Sequence, residues 1–571
     1  MEPILKQNDL PLRPPEEVMK PERLGALRFT SISFSQSMLR KVFREGWKIK
    51  RIQFDLDDQG YGEALYSIET PNGVFSFIVF SQHVDDQERT DRVIAQKWDV
   101  TFALCEGLIT EEKKKRLKGE LPHQEAGRGD AMDLVWSRAN RSTRVFEYVV
   151  DQLAKGKQPD PNILNQAGYL LRTTAVYGNG KFGIASYRKL NQDHPFYGAF
   201  RAQMFAVWMI REFSFELVEH IARARSPQAV RLDPKLKRFL GIGNATGLGM
   251  VPFLISHPKL LHTWIRLREK GLARVLHVHA SKEDGQKLLD YIDRGIAYFR
   301  ESPFVEPKAF AKPQELVSEL QILRRVVEEF VNQGTIDQKK SDYPWKELTQ
   351  FAKKRVGIET QELLHSLLTE VYSDLLSDLG EQTTIDERYD LTPEMKIGEL
   401  KHLIQTRYAW AFEYDFSDPD EMKYFWYRSQ EKEEPRMGER GVEPGEENEL
   451  PVNIAQQVQQ LSRQLENRPN TEIVAKFVIQ YPEFKWIIRR IQSLQNDEYA
   501  EIHGNLLAKG LVPVYLLRCK LAIFGAERFD PKSNRWVRVT FFQGAPLVTD
   551  IGSDFNDHWF FPLISQMEGE E

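Results

Sequence analysis

Two cysteines in 571 residues, Cys105 and Cys519, exclude a disulfide framework and leave too few thiolates for a cysteine-based zinc cluster. A reducing compartment follows as the simplest expectation. No apolar run approaches the roughly 18 residues a membrane helix needs. The nearest stretch, 247–256, is only about ten residues long and suits a buried helix. Residues 1–21 are polar and proline-rich, without the apolar segment of a secretory signal, so a cytoplasmic protein with no membrane partner is expected. Positive charge is not in excess. Lys and Arg number 78 against 83 Asp and Glu, a net charge of −5 that counts against nucleic acid as a partner. There is no G-x-S-x-G nucleophile elbow, no cysteine in a nucleophile motif, and no internal repeat of fixed period.

What the chain does have is bulk. Its 34 Phe, 19 Tyr and 11 Trp, within a hydrophobic share of 41%, supply substantial cores. The length exceeds one ordinary core and implies roughly two to four domains.

The pattern along the chain is β, then helical, then β again. Residues 47–105 read as an antiparallel meander, with Pro71-Asn72-Gly73 as a hairpin turn. Helical spacing dominates 135–154, 196–225 and 259–270, the last between Pro258 and Gly271. A short strand is expected over 274–280 and a helix over 284–299. Further helices are expected over 313–333, closed by Gly334, and over 344–355, 360–379, 452–466 and 471–495. Strands over 514–528 and 535–542 flank a hairpin loop at 530–534. The fold class is therefore α+β: a predominantly helical middle, an antiparallel meander near the N-terminus and a β-hairpin near the C-terminus, with the two β regions free to share one sheet. The expected division is an extended arm (1–25), a β-rich domain (26–130), a helical domain with two glycine-rich loops (131–429), a charged linker (430–450), and a helical hairpin plus β-hairpin (451–571).

The glycine-rich segments carry the functional reading. The first, 172–183, contains Arg172, Tyr177, Gly178, Asn179, Gly180, Lys181 and Gly183; the second, 241–249, contains Gly243, Asn244, Thr246 and Gly247. Glycine lets a ligand approach backbone N–H groups, and a helix start behind such a loop favours an anion. Arg172 and Lys181 add charge, Tyr177 or His194 is the nearby proton-transfer group, and Arg138 and Arg141, three apart on an expected helix start, can grip a phosphate or carboxylate. The expectation is an enzyme acting on a small anionic organic substrate. No cofactor is named, and a homo-oligomer is left open.

Two alternatives stand beside it. One is a non-catalytic helical scaffold that docks through 430–450. The other is an NAD(P)-dependent oxidoreductase, because Gly178, Gly180 and Gly183 match G-x-G-x-x-G, although the helix behind them is short and no acid stands about 20 residues on. His277 and His279, two apart on the expected strand, could share a metal with Glu216, Glu219 or His220. Asp55, Asp57, Asp58 and Gly60 begin like a calcium loop, but Tyr66 occupies the twelfth position, which makes a turn the better reading. The aromatics at 408–427 fit either an organic-ligand wall or a core strand.

Overall fold

The structure, a computed structural model, describes residues 10–85, 87, 98–119, 133–173, 190–247, 252–302, 308–336, 342–380, 388–428, 435–442, 445–532, 536–553 and 559–563. It is α+β. Its strands are β1 (Lys48–Leu56), β2 (Gly62–Thr70), β3 (Gly73–Ser81), β4 (Val100–Glu106), β5 (Asp133–Arg141), β6 (Tyr169–Thr173), β7 (Gly241–Gly247), β8 (Tyr424–Arg428), β9 (Pro435–Glu439), β10 (Ala526–Pro531) and β11 (Trp536–Phe541). Nine of them form one sheet in the order β1-β2-β3-β4-β5-β6-β7-β11-β10. The N-terminal meander and the C-terminal hairpin therefore share a single sheet. Every pairing in it is antiparallel except β6 with β7.

Local sequence explains the meander. Phe75, Phe77, Ile78, Val79 and Phe80 give β3 the aromatic and β-branched content that suits a buried strand, and all five are buried. β1 is the outer strand and is blunted by exposed Lys48, Lys50 and Arg51 along its free edge. One face of the sheet is covered by the helix Arg201–Arg225, which packs across β4 to β7 and buries Trp208, Phe205 and Phe213 completely. On the other face a small cluster of Ile78, Phe80, Ala103 and Cys105 is capped by Leu117 of the helix Glu111–Gly119. A second core, built from the helices Lys282–Glu301, Pro313–Gln333, Pro344–Arg355 and Ile358–Val371, gathers Leu288, Leu320, Trp345 and Leu367.

Several sequence expectations are corrected. The run 135–154 is not one helix: 133–141 is β5, and the helix is Phe146–Ala154. Val135 and Trp136 find cross-strand partners in Leu104 and Ala103 of β4, while Ser137, Asn140, Ser142 and Thr143 are poor helix interiors. The strand over 274–280 is absent because the helix Pro258–Leu276 runs straight through Gly271, whose missing side chain leaves room for Leu376. Residues 514–524 form a helix before β10, since their apolar run is buried all round and periodicity does not separate that from a strand. The described part of the arm, from residue 10, is not extended: Pro15–Val18 and Pro21–Ala26 are short helices that bury Val18 and Leu24. The second glycine segment is not a loop but β7. By contrast Pro313–Gln333 ends on Gly334, at φ 71, as the sequence indicates.

Two strands make β6–β7 a tight pair. A Cβ on Gly243 would lie 2.5 Å from the Tyr169 ring, so the glycine is needed for the ring to cross the strand.

One buried histidine gives the fold a pH dependence. His262 Nδ1 accepts from the Tyr499 backbone N–H at 3.0 Å, which fixes the neutral ring with its proton on Nε2. Burial, helped by Arg266, pushes its pKa down to about 4. From pH about 6.5 down to about 4 the unfolded chain takes up a proton that the folded chain refuses, so stability falls as pH falls, by on the order of 3 kcal/mol from this site. His262→Asn keeps an acceptor near Nδ1 and cannot titrate. Thermal midpoints between pH 7 and 4 should decline less in that variant; an unchanged acid limb would show that His262 does not govern it.

Candidate anion site at the sheet edge

The parallel pair sets the geometry. Tyr169 stands opposite Gly241 and Arg172 opposite Gly243, so β6 and β7 run the same way and the chain leaves both at one edge. In open α/β sheets ligands bind in the crevice beyond the carboxyl ends of parallel strands, and this sheet contains one such pair. Thr246 and Gly247, at the end of β7, pair with Val537 and Trp536 of β11. Tyr177, Gly178, Asn179, Gly180, Lys181 and Gly183 lie outside the described residues.

On β5, next to the end of β6, is Arg138. It is cross-strand partner to Thr101 of β4 and only 7% exposed. Strand alternation puts it on the face of Trp136, and the register puts Thr101 beside Ala103 on that same face. The guanidinium lies 4.7 Å from the centre of the buried Trp98 ring, a cation–π contact. Among the described residues it makes no hydrogen bond and no ion pair. Burial alone pushes its pKa down to about 10. Trp98 Nε1 and Thr101 Oγ1 are also buried without a hydrogen-bond partner. The cluster thus joins a cation, an indole N–H and a hydroxyl, with no carboxylate among them. Each buried donor left unpaired costs about 1–3 kcal/mol, and a cation more. An oxyanion is the kind of group that would supply the acceptor these donors lack.

The neighbouring residues frame this cluster. Arg172 is buried on β6 opposite Asn140 of β5, which places it on the same sheet face as Arg138. Thr173 Oγ1 donates to the Arg138 carbonyl at 2.6 Å, and Asn244 Nδ2 donates to the Thr173 carbonyl at 2.6 Å. Asn244 is fully buried, next to Ile242 of the main core, with Oδ1 unpartnered. Asn244 and Thr173 therefore tie the ends of β5, β6 and β7 together.

Arg141 does not join Arg138. The expected helical face does not exist, because on a strand residues three apart point to opposite faces. Its Nη2 donates to the Gln59 carbonyl at 3.2 Å, and its guanidinium lies over Phe146 and Tyr61 at 4.8 and 5.2 Å. His194 is also elsewhere. It packs on Phe75 and Phe196 of the main core, with Nε2 3.4 Å from Glu106. Glu106 is five residues along β4 from Thr101, about 17 Å at strand spacing. Burial, against the pull of Glu106, lowers the His194 pKa.

The remaining sequence candidates have structural places. His277 and His279 follow a helix and pack on Tyr343, and among the described residues no group of three or more potential ligands could hold a metal. Glu216 accepts from Tyr66 and Arg51, and His220 Nε2 lies 2.8 Å from the Asp57 carbonyl. Asp57 Oδ1 accepts from the N–H groups of Gln59 and Tyr61, making the turn expected there. The aromatic stretch is core: Tyr408 donates to Glu501, Trp410 stacks on His503, and Tyr424 to Tyr427 are buried in β8.

Trp98 and Thr101 carry no sequence signal as ligands, because only the register of β4 against β5 brings them to Arg138. Comparison with known protein families, with curated proteins and with solved structures finds no match. Among the described residues no helix is long and apolar enough to cross a membrane.

Proposed function

We propose that this protein is an enzyme acting on a small phosphate- or carboxylate-bearing organic molecule, with Arg138 as the charge partner of the anionic group. The observation that carries this reading is the guanidinium of Arg138, a residue 7% exposed, without a counter-ion among the described residues, beside two unpaired donors. Its position at the carboxyl edge of β6 and β7 supports a ligand crevice there. Trp98 holds the guanidinium in place, and Thr101 and the indole N–H orient the oxyanion.

The test is Arg138→Met, read by calorimetric titration with inorganic phosphate and by thermal melting. Phosphate affinity is expected to fall at least tenfold. The melting temperature is expected to hold or rise, because an unpaired buried charge has been removed. A lower melting temperature with unchanged phosphate affinity would make Arg138 a structural residue and end this reading.

A further inference from the structure

A cavity lies away from that cluster, at the β10 edge of the sheet. It is bounded by the outer strand β10, the helix Val514–Phe524, the end of the helix Lys282–Glu301 and the segment around Phe29. β10 is four strands from β5, about 19 Å at sheet spacing. The empty space here is roughly 760 Å³ when the open solvent at its mouth is counted, so it is a partly open cleft and not an enclosed chamber. Phe29, Phe299, Phe529, Phe560 and Phe561 form its walls.

Two cations line this aromatic space, Arg28 and Arg518; Arg28 lies over the Phe299 ring at 5.9 Å. Arg518 is 3% exposed and lines the cavity. Its guanidinium is held by the Phe310 and Phe529 rings at 4.5 and 5.6 Å, and its Nη1 donates to Glu359 at 3.0 Å. Nε is buried without a partner, and Nη2 makes no hydrogen bond among the described residues. Nε and Nη2 form the side-on fork that grips a carboxylate bidentately. Glu359 also takes Arg28, at 3.4 Å, so this one carboxylate serves two guanidiniums. The other acid on the wall, Glu527, accepts from Gln36, and burial raises its pKa well above the usual carboxylate range, which favours its neutral form.

We infer that this cavity is a binding site for a small aromatic carboxylate, with the ring among the phenylalanines and the carboxylate on the Nε–Nη2 fork of Arg518. This site is independent of the Arg138 cluster. Ring-on-ring packing supplies apolar burial, and the fork supplies discrimination against uncharged analogues.

The experiment is calorimetric titration of the full chain with benzoate, benzamide and acetate. Benzoate should bind saturably and at least tenfold more tightly than either analogue. Arg518→Gln should weaken benzoate at least tenfold. Ala522→Phe, which fills the cavity from the helix, should abolish binding and keeps the test open if Arg518→Gln does not fold. Arg138→Met should leave benzoate binding unchanged. No saturable binding to the unaltered protein overturns the inference, as does equal affinity for benzamide. Loss of benzoate binding in Arg138→Met with retention in Arg518→Gln would move the ligand to the sheet edge and also overturn it.

Discussion

Glu362→Gln is expected to destabilise this protein by about 3–5 kcal/mol, the usual cost of breaking a buried ion network by removing one partner. Glu362 is fully buried on the helix Ile358–Val371. Its Oε1 accepts from Arg13 and Arg23, both at 2.7 Å, and its Oε2 lies 2.9 Å from Arg268. Burial alone would raise its pKa, but Arg13 and Arg268 hold it well below the usual carboxylate range. Glutamine keeps the shape and removes the charge, leaving Arg13 and Arg268 to share Glu269 and Arg23 to the more distant Glu17 at 3.7 Å. A neutral amide does not restore that balance. The thermal midpoint should drop by several degrees. Because Arg13 and Arg23 belong to the first described segment, that segment should also become sensitive to limited proteolysis. A variant that melts like the parent and resists protease would show that the network adds little to stability.

Arg211→Met is expected to be at least as damaging, for a different reason. Arg211 is fully buried in the helix Arg201–Arg225 and donates to five backbone carbonyls: Leu240 at 2.7 Å, Ala545 at 2.9 Å, Lys237 at 3.0 Å, and Pro546 and Arg238 at 3.2 Å. These carbonyls lie in the segment entering β7 and the segment leaving β11. One side chain thus fixes the approach to the strand that carries Gly243 and Asn244. Methionine fills similar space but leaves the carbonyls without donors, at about 1–3 kcal/mol for each that water cannot reach. Arg211→Lys should rescue little, because a compact ammonium cannot span the same fork.

Glu212 makes the Arg211 prediction sharper. It accepts from Arg211 Nη1 at 2.8 Å and from the Val548 N–H at 3.1 Å, and burial lifts its pKa to about 7. Its folded pKa lies above the unfolded carboxylate value near 4.5, so the stability it contributes is present at low pH and is lost as pH rises through about 7. Without Arg211 its carboxylate loses its nearest cation. The Arg211→Met defect should therefore be smaller at pH 5 than at pH 8. A defect of equal size at both would show that Glu212 is not strained by the substitution.

Legibility in the sequence followed the range of the forces involved. The meander at 47–81 was readable because β propensity, alternation and the Pro71-Asn72-Gly73 turn are local and agree. Pro313–Gln333, opened by proline and closed by Gly334, was readable for the same reason. The α+β class followed from the order of such segments. Arg138 was visible as a candidate anion partner from charge density alone, but its pairing with Arg141 was not, since β5 forms through partners on β4 that no local pattern names. Trp98 and Thr101 were invisible for that same reason.

The sequence by itself determined composition, the main turns and caps, and the presence of arginines near glycine-rich strand ends. Tertiary structure decided the rest. It placed the C-terminal hairpin beside β7 and made β6 and β7 parallel. It turned the second glycine segment from an expected loop into a strand floor crossed by Tyr169. It also matched Arg13, Arg23 and Arg211 to acids or carbonyls while leaving Arg138 without one among the described residues. Whether a buried arginine is a strut or a ligand site depends on what stands within about 4 Å of its guanidinium, and that distance is set by residues far away in the chain.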